Sequence, residues 1–433
     1  MSEKHKLFVG IDSHSETHKV ALISATTLEN SPSHLRESEL MDVCNSLRDF
    51  KRLSRAIKKH TSCIDEVVIG IDSCGVYTLP LTYYLQRQEY KVYYMENKLQ
   101  KASRGSFFDL ENKSDVIDAI RIAHLLYLKD LAGPLFRATA LRSPDFESEA
   151  SILHTLVLHR QQYIKLITQS TNRLHVFLTG IFPEAERRYF TRLLKILPYY
   201  PTPQEIASSR GMKKVKGIGI ATKDAIKKLA KDTVGIPSGH YRNLILNLCR
   251  QREQSMSWQK EITESIEKEV NGHPYGSILL SFPRFGTVTA ATIIGSIGDI
   301  NRWSSDKKMK KAFGVYSTFQ ESGKSKSVRK QGLGGNRLCK AALYHAVMRC
   351  LPENAPENDF RDYYRRRVSR GKPKMSAIVA TMGKLTEIIY HCLRTGEPYR
   401  YKGTYKEYRS KMKSTDPGKS MVVPIREMRT GAP

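Results

Sequence analysis

Residues 6–12, KLFVGID, and residues 66–72, EVVIGID, each run an apolar stretch into a terminal aspartate; residues 112–123, NKSDVIDAIRIA, read as the start of a helix carrying two more. A short apolar run closed by an acid and a polar turn is the pattern of a buried strand whose end emerges at a sheet edge. Asp12 and Asp72 end the two strands, and Asp115 and Asp118 lie three apart on one helix face. Taken singly, each is ordinary. Asp-Ser is a common turn pair, and acids favour the first turn of a helix because of its dipole. Taken together, carboxylates converging from two strand ends and a helix face repel one another, and a divalent cation relieves that repulsion. Two Mg²⁺ ions roughly 3.5–4 Å apart, held by such a set, are suited to phosphodiester chemistry.

Outward from these stretches, residues 1–140 read as α/β. LFVGID and HKVALIS form a hairpin across a short polar turn, and a polar helical segment covers 37–60. VVIGID is a strand, LPLTYYLQRQ a helix, KVYYMEN a strand and SDVIDAIRIAHLLYLKDL a further helix. Strands alternating with helices after an opening hairpin predict a sheet with helices packed on it.

Over 141–273 the period changes to that of long helices. Leu153, Leu156, Tyr163, Ile167, Leu174 and Phe177 form one stripe, interrupted by Arg160 and Ser170. Tyr241, Ile245, Leu248, Trp258, Ile262, Ile266 and Val270 form a second. The stripes predict a helical, coiled-coil middle that packs within the chain or at a dimer interface. Residues 274–400 read as a compact, mostly helical domain. Gly286, between two apolar segments, and the stretch KGIGIATKDAIKKLA at 216–230 both have the look of a helix-hairpin-helix turn, although glycine also simply ends helices. Residues 401–433, with eight Lys/Arg against three Asp/Glu, read as a basic tail.

The chain has 71 Lys plus Arg against 43 Asp plus Glu, a formal charge of +28, which points to a polyanionic partner, nucleic acid above all. Between residues 302 and 340 eleven Lys/Arg face only Asp306 and Glu321. Lys324, Lys326, Arg329, Lys330 and Arg337 there are candidates for neutralising phosphates, and glycines at 323, 332, 334 and 335 allow close backbone approach. Ser322-Gly323 lies inside this stretch, but one Ser-Gly does not make a nucleophile, because a serine hydroxyl needs a base or metal beside it. No run of about 18 apolar residues predicts a membrane span, and the N-terminus lacks a signal-peptide pattern. The seven scattered cysteines, without CxxC or zinc spacing, read as reduced thiols of a cytoplasmic protein.

VGIDSHSETHKVALIS, IGIDSCGVYTLPL and above all NKSDVIDAIRIA, followed by FPRFGTVTAATIIGSIGDINRW, KKAFGVYSTFQESGKSK, GGNRLCKAALYHAV, KPKMSAIVATMGKLTEIIYHCL and GEPY, occur in the order of a known family. The chain resembles the DEDD transposases of the insertion-sequence 110 family, including the Piv-type DNA invertases, over nearly its whole length. The resemblance implies a RuvC-like, RNase H-type N-terminal domain, a coiled-coil linker and a C-terminal transposase domain. It implies metal-ligand positions at Asp12, Asp115 and Asp118, and a nucleophilic serine at Ser322 forming a covalent phosphoserine with DNA. A structured guide RNA that pairs with donor and target DNA, Mg²⁺ as cofactor, and dimers assembling into a tetramer are implied as well. One departure stands out: the family's second acid is normally glutamate, whereas this chain has Asp72, one methylene shorter, with Glu96 or Glu111 as alternative contributors. The rivals are a RuvC-like endonuclease that uses water, an invertase without guide RNA, and a nucleic-acid-binding protein with a degraded site.

Overall fold

The computed structural model describes residues 6–30, 38–72, 75–95, 114–132, 141–142, 146, 148–237, 239–320, 328–331 and 334–401. By their internal contacts they fall into two compact units, Met1–Phe146 and Glu147–Pro433.

The first unit opens with β1 (Leu7–Asp12), β2 (Thr17–Ser24), α1 (Ala25–Asn30), β3 (Glu39–Cys44) and α2 (Leu47–His60). It continues with β4 (Val67–Asp72), α3 (Leu79–Arg87), β5 (Lys91–Met95), α4 (Asp115–Ala132) and β6 (Leu141–Arg142). The strands make one sheet in the order β3-β2-β1-β4-β5-β6. The first three are antiparallel neighbours, β1/β4 and β4/β5 are parallel, and β6 closes antiparallel on β5. This mixed sheet with helices on its faces is what the α/β reading of the sequence expects, and it is RNase H-like, as the family resemblance implies. One local expectation fails. Residues 39–44 are an edge strand and the helix starts only at Leu47, capped by Ser46. Of ELMDVC only Val43 is buried, so the alternation that marks a strand is almost erased at this exposed edge.

Alternation sorts the rest of the sheet. Leu7, Val9, Ile11, Val67, Ile69 and Ile71 pack with Leu53, Ile57, Leu81 and Leu85 of α2 and α3. Phe8, Ala21, Ile23 and Met95 pack with Ala119, Ile122, Ala123 and Leu126 of α4 on the other face. Gly10 and Gly70 face α4 and are register partners across β1 and β4. A Cβ on Gly10 would stand 1.9 Å from the carbonyl oxygen of Ala119 and 2.6 Å from the nitrogen of Ala123. The G-I-D triplets thus cut a groove into which α4 sinks until its backbone touches β1.

The second unit is mostly helical. α5 (Glu149–Ile181) and α9 (Arg242–Gly272) lie antiparallel, with α6 (Pro183–Ile196), α7 (Pro203–Ser208) and α8 (Ile220–Lys231) between them in sequence. The two apolar stripes pack against each other within the chain, with Tyr163 on Trp258 at 5.4 Å. The polar interruptions fix the register: Arg160 Nε donates to Thr263 Oγ1 (2.9 Å), Ser170 Oγ to Gln251 Oε1 (3.1 Å) and Arg252 Nε to Thr171 Oγ1 (3.1 Å). One end of the pair, Leu174, Leu178, Ile181, Ile245 and Leu248, shares a core with α6–α8. The other, Leu153, Val157, Ile266 and Val270, joins a second core.

That second core is built by α10 (Pro274–Leu280), α11 (Thr287–Ile297), α12 (Asp306–Ala312), α13 (Arg337–Cys350), α14 (Asp359–Ser369) and α15 (Lys374–Thr395), with a two-stranded ribbon, β7 (Ser317–Gln320) and β8 (Val328–Gln331). Gly286 is the exposed N-cap of α11, and the turn before it is anchored by Phe282, stacked on Phe285 and Tyr399. The Tyr399 hydroxyl donates to Asp359 Oδ2 (2.9 Å), which gives the tyrosine of GEPY a structural task.

Candidate metal centre

Asp12 ends β1, and its side chain is on the face that receives α4, because it continues the inward alternation of Phe8 and Gly10. Asp72 stands at the equivalent place on β4. Ser114 starts α4 by accepting from the N–H of Ile117 through its Oγ (3.2 Å), which puts Asp115 and Asp118 in the first turn, at the positive end of the helix dipole. The groove at Gly10 then sets how near that turn comes to the strand ends.

One ligand atom from each of Asp12, His14 and Asp115 lies within 4.8 Å of the other two. His14 Nε2 stands 3.2 Å from Asp12 Oδ2 and 3.2 Å from Asp115 Oδ2. Adjacent ligands of an octahedral ion bound at 2.0–2.1 Å are separated by about 3 Å, so the spacing suits a divalent cation. Asp12 is 6 % exposed, Asp72 8 % and Asp118 9 %; the set is recessed, with His14 and Asp115 at its open side. Burial pushes the Asp12 carboxyl up to about 6, His14 pulls it down, and the charges of Asp72, Asp118 and Asp115 each raise it further. Three other aspartates therefore bear on the one buried carboxylate of Asp12, an arrangement that a cation stabilises. Asp118 is held differently: Arg121, itself buried, donates to Asp118 Oδ1 at 2.6 Å. Glu96 and Glu111 lie outside the described residues.

In the second unit, Ser322, Lys324 and Lys326 also lie outside the described residues. Arg329 and Lys330 belong to β8, and Arg337 is the exposed first residue of α13. The base of the ribbon is well defined. Gly314 (φ 70°) and Gly335 (φ 104°) are pressed together, and a Cβ on Gly335 would stand 2.3 Å from the Gly314 nitrogen. Asn336 then caps α13 by accepting from the N–H groups of Leu338 and Cys339, while its own N–H donates to Ala312 O (2.8 Å). The GGN of GGNRLCKAAL is thereby explained as the clamp from which the ribbon springs.

Both stretches are matched by family models. Residues 9–183 match that of the IS110 DEDD transposases, and residues 276–365 that of the transposases of the IS116/IS110/IS902 family. The chain belongs to the IS110 family of DEDD transposases. It is 25 % identical to an insertion element IS110 uncharacterized 43.6 kDa protein of Streptomyces coelicolor, over 80 % of this chain and 87 % of that one. It is 22 % identical to the insertion element IS116 uncharacterized 44.8 kDa protein of Streptomyces clavuligerus, over 91 % and 96 % of the two. A pilin gene-inverting protein of Moraxella bovis is 26 % identical over 37 % of this chain and 55 % of its own length. As a transposase of this family the chain acts on DNA, which its charge of +28 suits, and no described helix is long and apolar enough to cross a membrane.

Sequence reasoning missed His14. It sits two residues past Asp12 in the hairpin turn, where a polar residue needs no explanation; only the fold of the turn brings its ring between two carboxylates. The raised pKa of Asp12 has a measurable consequence. A cation must displace a proton from Asp12 whenever the pH is below about 6. Metal affinity is therefore expected to weaken as the pH falls through about 6, by about tenfold or more per pH unit, because the imidazole of His14 must also be neutral to serve as a ligand. A calorimetric titration of Mn²⁺ into the protein at several pH values checks this, and an affinity level down to pH 5 would contradict it.

Proposed function

We propose that this transposase cuts and rejoins DNA with divalent ions bound at the strand-end acids, through a covalent phosphoserine at Ser322. The observation that carries the reading is the convergence of Asp12, His14 and Asp115 on one point, with Asp72 and Asp118 near enough to raise Asp12 further. Asp12, His14 and Asp115 would hold one ion, and Asp72 with Asp118 would serve a second. When bound, such ions polarise the scissile phosphate and stabilise charge on the attacking and leaving oxygens.

The chain's own residues set the conditions. The groove at Gly10 positions the acids, burial keeps Asp12 poorly solvated, and Arg121 orients Asp118. Ser322 Oγ forms a bond to phosphorus as the bond to the leaving deoxyribose oxygen breaks; the serine loses a proton and the departing oxygen gains one. Attack by a hydroxyl of another strand reverses this and rejoins the DNA. Lys324, Lys326, Arg329, Lys330 and Arg337 neutralise phosphates along the strand. A structured guide RNA, two Mg²⁺ ions, dimers joined into a tetramer, and action at the nucleoid complete the reading, on the strength of the motifs and the charge.

All five residues of the metal centre belong to the first unit, which favours a second reading: hydrolysis by water, with no role for the serine. The two are separated by incubating the protein with Mg²⁺, DNA carrying the element ends and RNA transcribed from the flanking non-coding segment. Wild type is expected to yield a strand covalently attached to protein on a denaturing gel, and both Ser322→Ala and Asp115→Ala none. Cleavage that persists in Ser322→Ala, without an adduct in wild type, would establish the nuclease.

A further inference from the structure

Residues 184–275 lie between the two stretches matched by the family models, and their basic residues take no part in the chemistry above. The loop 209–219 between α7 and α8 is held from within. Lys223 Nζ donates to Val215 O (2.6 Å) and Met212 O (3.2 Å), and Lys227 Nζ to Ser209 O (2.6 Å). Met212 and Val215 are buried in the core of this helical end. Two lysines thus stitch the loop to α8, while Arg210, Lys213, Lys214 and Lys216 remain exposed on its outside. Lys195, exposed on α6, adds a fifth cation: its Nζ lies 3.4 Å from the place a Cβ on Gly217 would take. None of these five makes an ion pair among the described residues.

Like charges gathered on a preorganised loop, none of them ion-paired among the described residues, repel one another until a polyanion arrives. From these positions we propose that the surface of Lys195, Arg210, Lys213, Lys214 and Lys216 docks the phosphate backbone of double-stranded DNA, independently of its sequence and of the strand-exchange chemistry. The stretch that carries four of the five cations, residues 209–231, contains no aromatic side chain on which an unpaired base could stack. The exposed Tyr199, four residues past Lys195, is a lone ring where single-strand binders stack successive bases, which favours a duplex. The surface adds hold on the flanking duplex, away from the reacting phosphates.

The test uses the full chain and the salt dependence of its binding to a random-sequence DNA duplex, read by fluorescence anisotropy. Each phosphate contact contributes about −0.9 to the slope of log K against log salt. The triple variant Lys213→Gln, Lys214→Gln, Lys216→Gln is expected to flatten that slope by about 2–3. The pair Lys195→Gln and Arg210→Gln, on two other segments, should flatten it by about 2. The triple Lys51→Gln, Lys58→Gln, Lys59→Gln on the exposed side of α2 removes the same charge and should leave the slope near that of wild type. An unchanged slope in both variants of the surface, or an equal change in the α2 control, overturns the proposal. A loss confined to duplex RNA, with DNA binding intact, overturns it in favour of RNA.

Discussion

Replacing Gly10 by alanine is expected to abolish strand cleavage although no functional side chain is touched. The new methyl would meet backbone atoms of α4, the Ala119 carbonyl oxygen at 1.9 Å and the Ala123 nitrogen at 2.6 Å, so the helix itself must move. Asp115 and Asp118 ride on the first turn of that helix. A misplacement of about 1 Å at a catalytic constellation can cost about 10²-fold in rate, and two acids move together here. Overpacking of this kind also costs roughly 1–3 kcal/mol or more, a drop in melting temperature of about 2–12 °C for a unit of this size. Gly70→Ala supplies the contrast. Its methyl would meet the side-chain ends of Ile122 and Leu126 at 2.8 and 2.9 Å, and these can yield. Thermal melts and cleavage assays of both variants should rank Gly10→Ala as far the more damaging; a Gly10→Ala protein with wild-type activity would contradict the role given to the groove.

Asp12→Asn is expected to stabilise the metal-free protein while removing its activity. The Asp12 carboxyl has a folded-state pKa of about 6 against 3.8 for the free group, so between those values the folded state binds more protons than the unfolded one. Stability from this group is therefore highest below about pH 4 and declines as the pH rises to about 6. The deficit above pH 6 is on the order of 1–3 kcal/mol. Asparagine never ionises and escapes it, so the variant should melt several degrees higher at pH 7.5 and match wild type near pH 4. Added Mg²⁺ should stabilise wild type and leave the variant unmoved, and cleavage should fall on the order of 10³-fold or more. A variant that melts lower than wild type at pH 7.5 in the absence of metal would mean that the acids do not strain the fold.

Much of the fold is legible before any coordinates. The apolar runs at 7–11, 20–23 and 67–71 are unbroken because these stretches of strand are covered on both faces, and the 3.6-residue period of the long helices survives their polar interruptions. What escapes is what depends on partners distant in sequence. Residues 39–44 form an edge strand whose outward residues are free to be polar, so only Val43 marks it. Gly10 and Gly70 read as ordinary glycines until α4 is seen lying against them. Arg121 reads as a helix residue among apolar neighbours, and only its depth reveals the ion pair with Asp118. The four aspartates are legible as a set because two end similar strands and two share a helix face; His14 is not, since its position follows from the path of a hairpin turn. The stripe on α5 could equally have sought a second copy; the hydrogen bonds of Arg160 and Ser170 show that its partner is α9 of the same chain.

The central claim is that the ends of β1 and β4 and the first turn of α4 form a binding site for divalent ions. Electron paramagnetic resonance of Mn²⁺ titrated into the full chain near pH 7.5 tests it most directly. Wild type is expected to suppress the free-ion signal saturably, with Mg²⁺ competing for the site, while Asp12→Asn and Asp115→Asn leave the ion free. A free-ion signal untouched by wild type, or suppressed equally by all three proteins, would contradict the account.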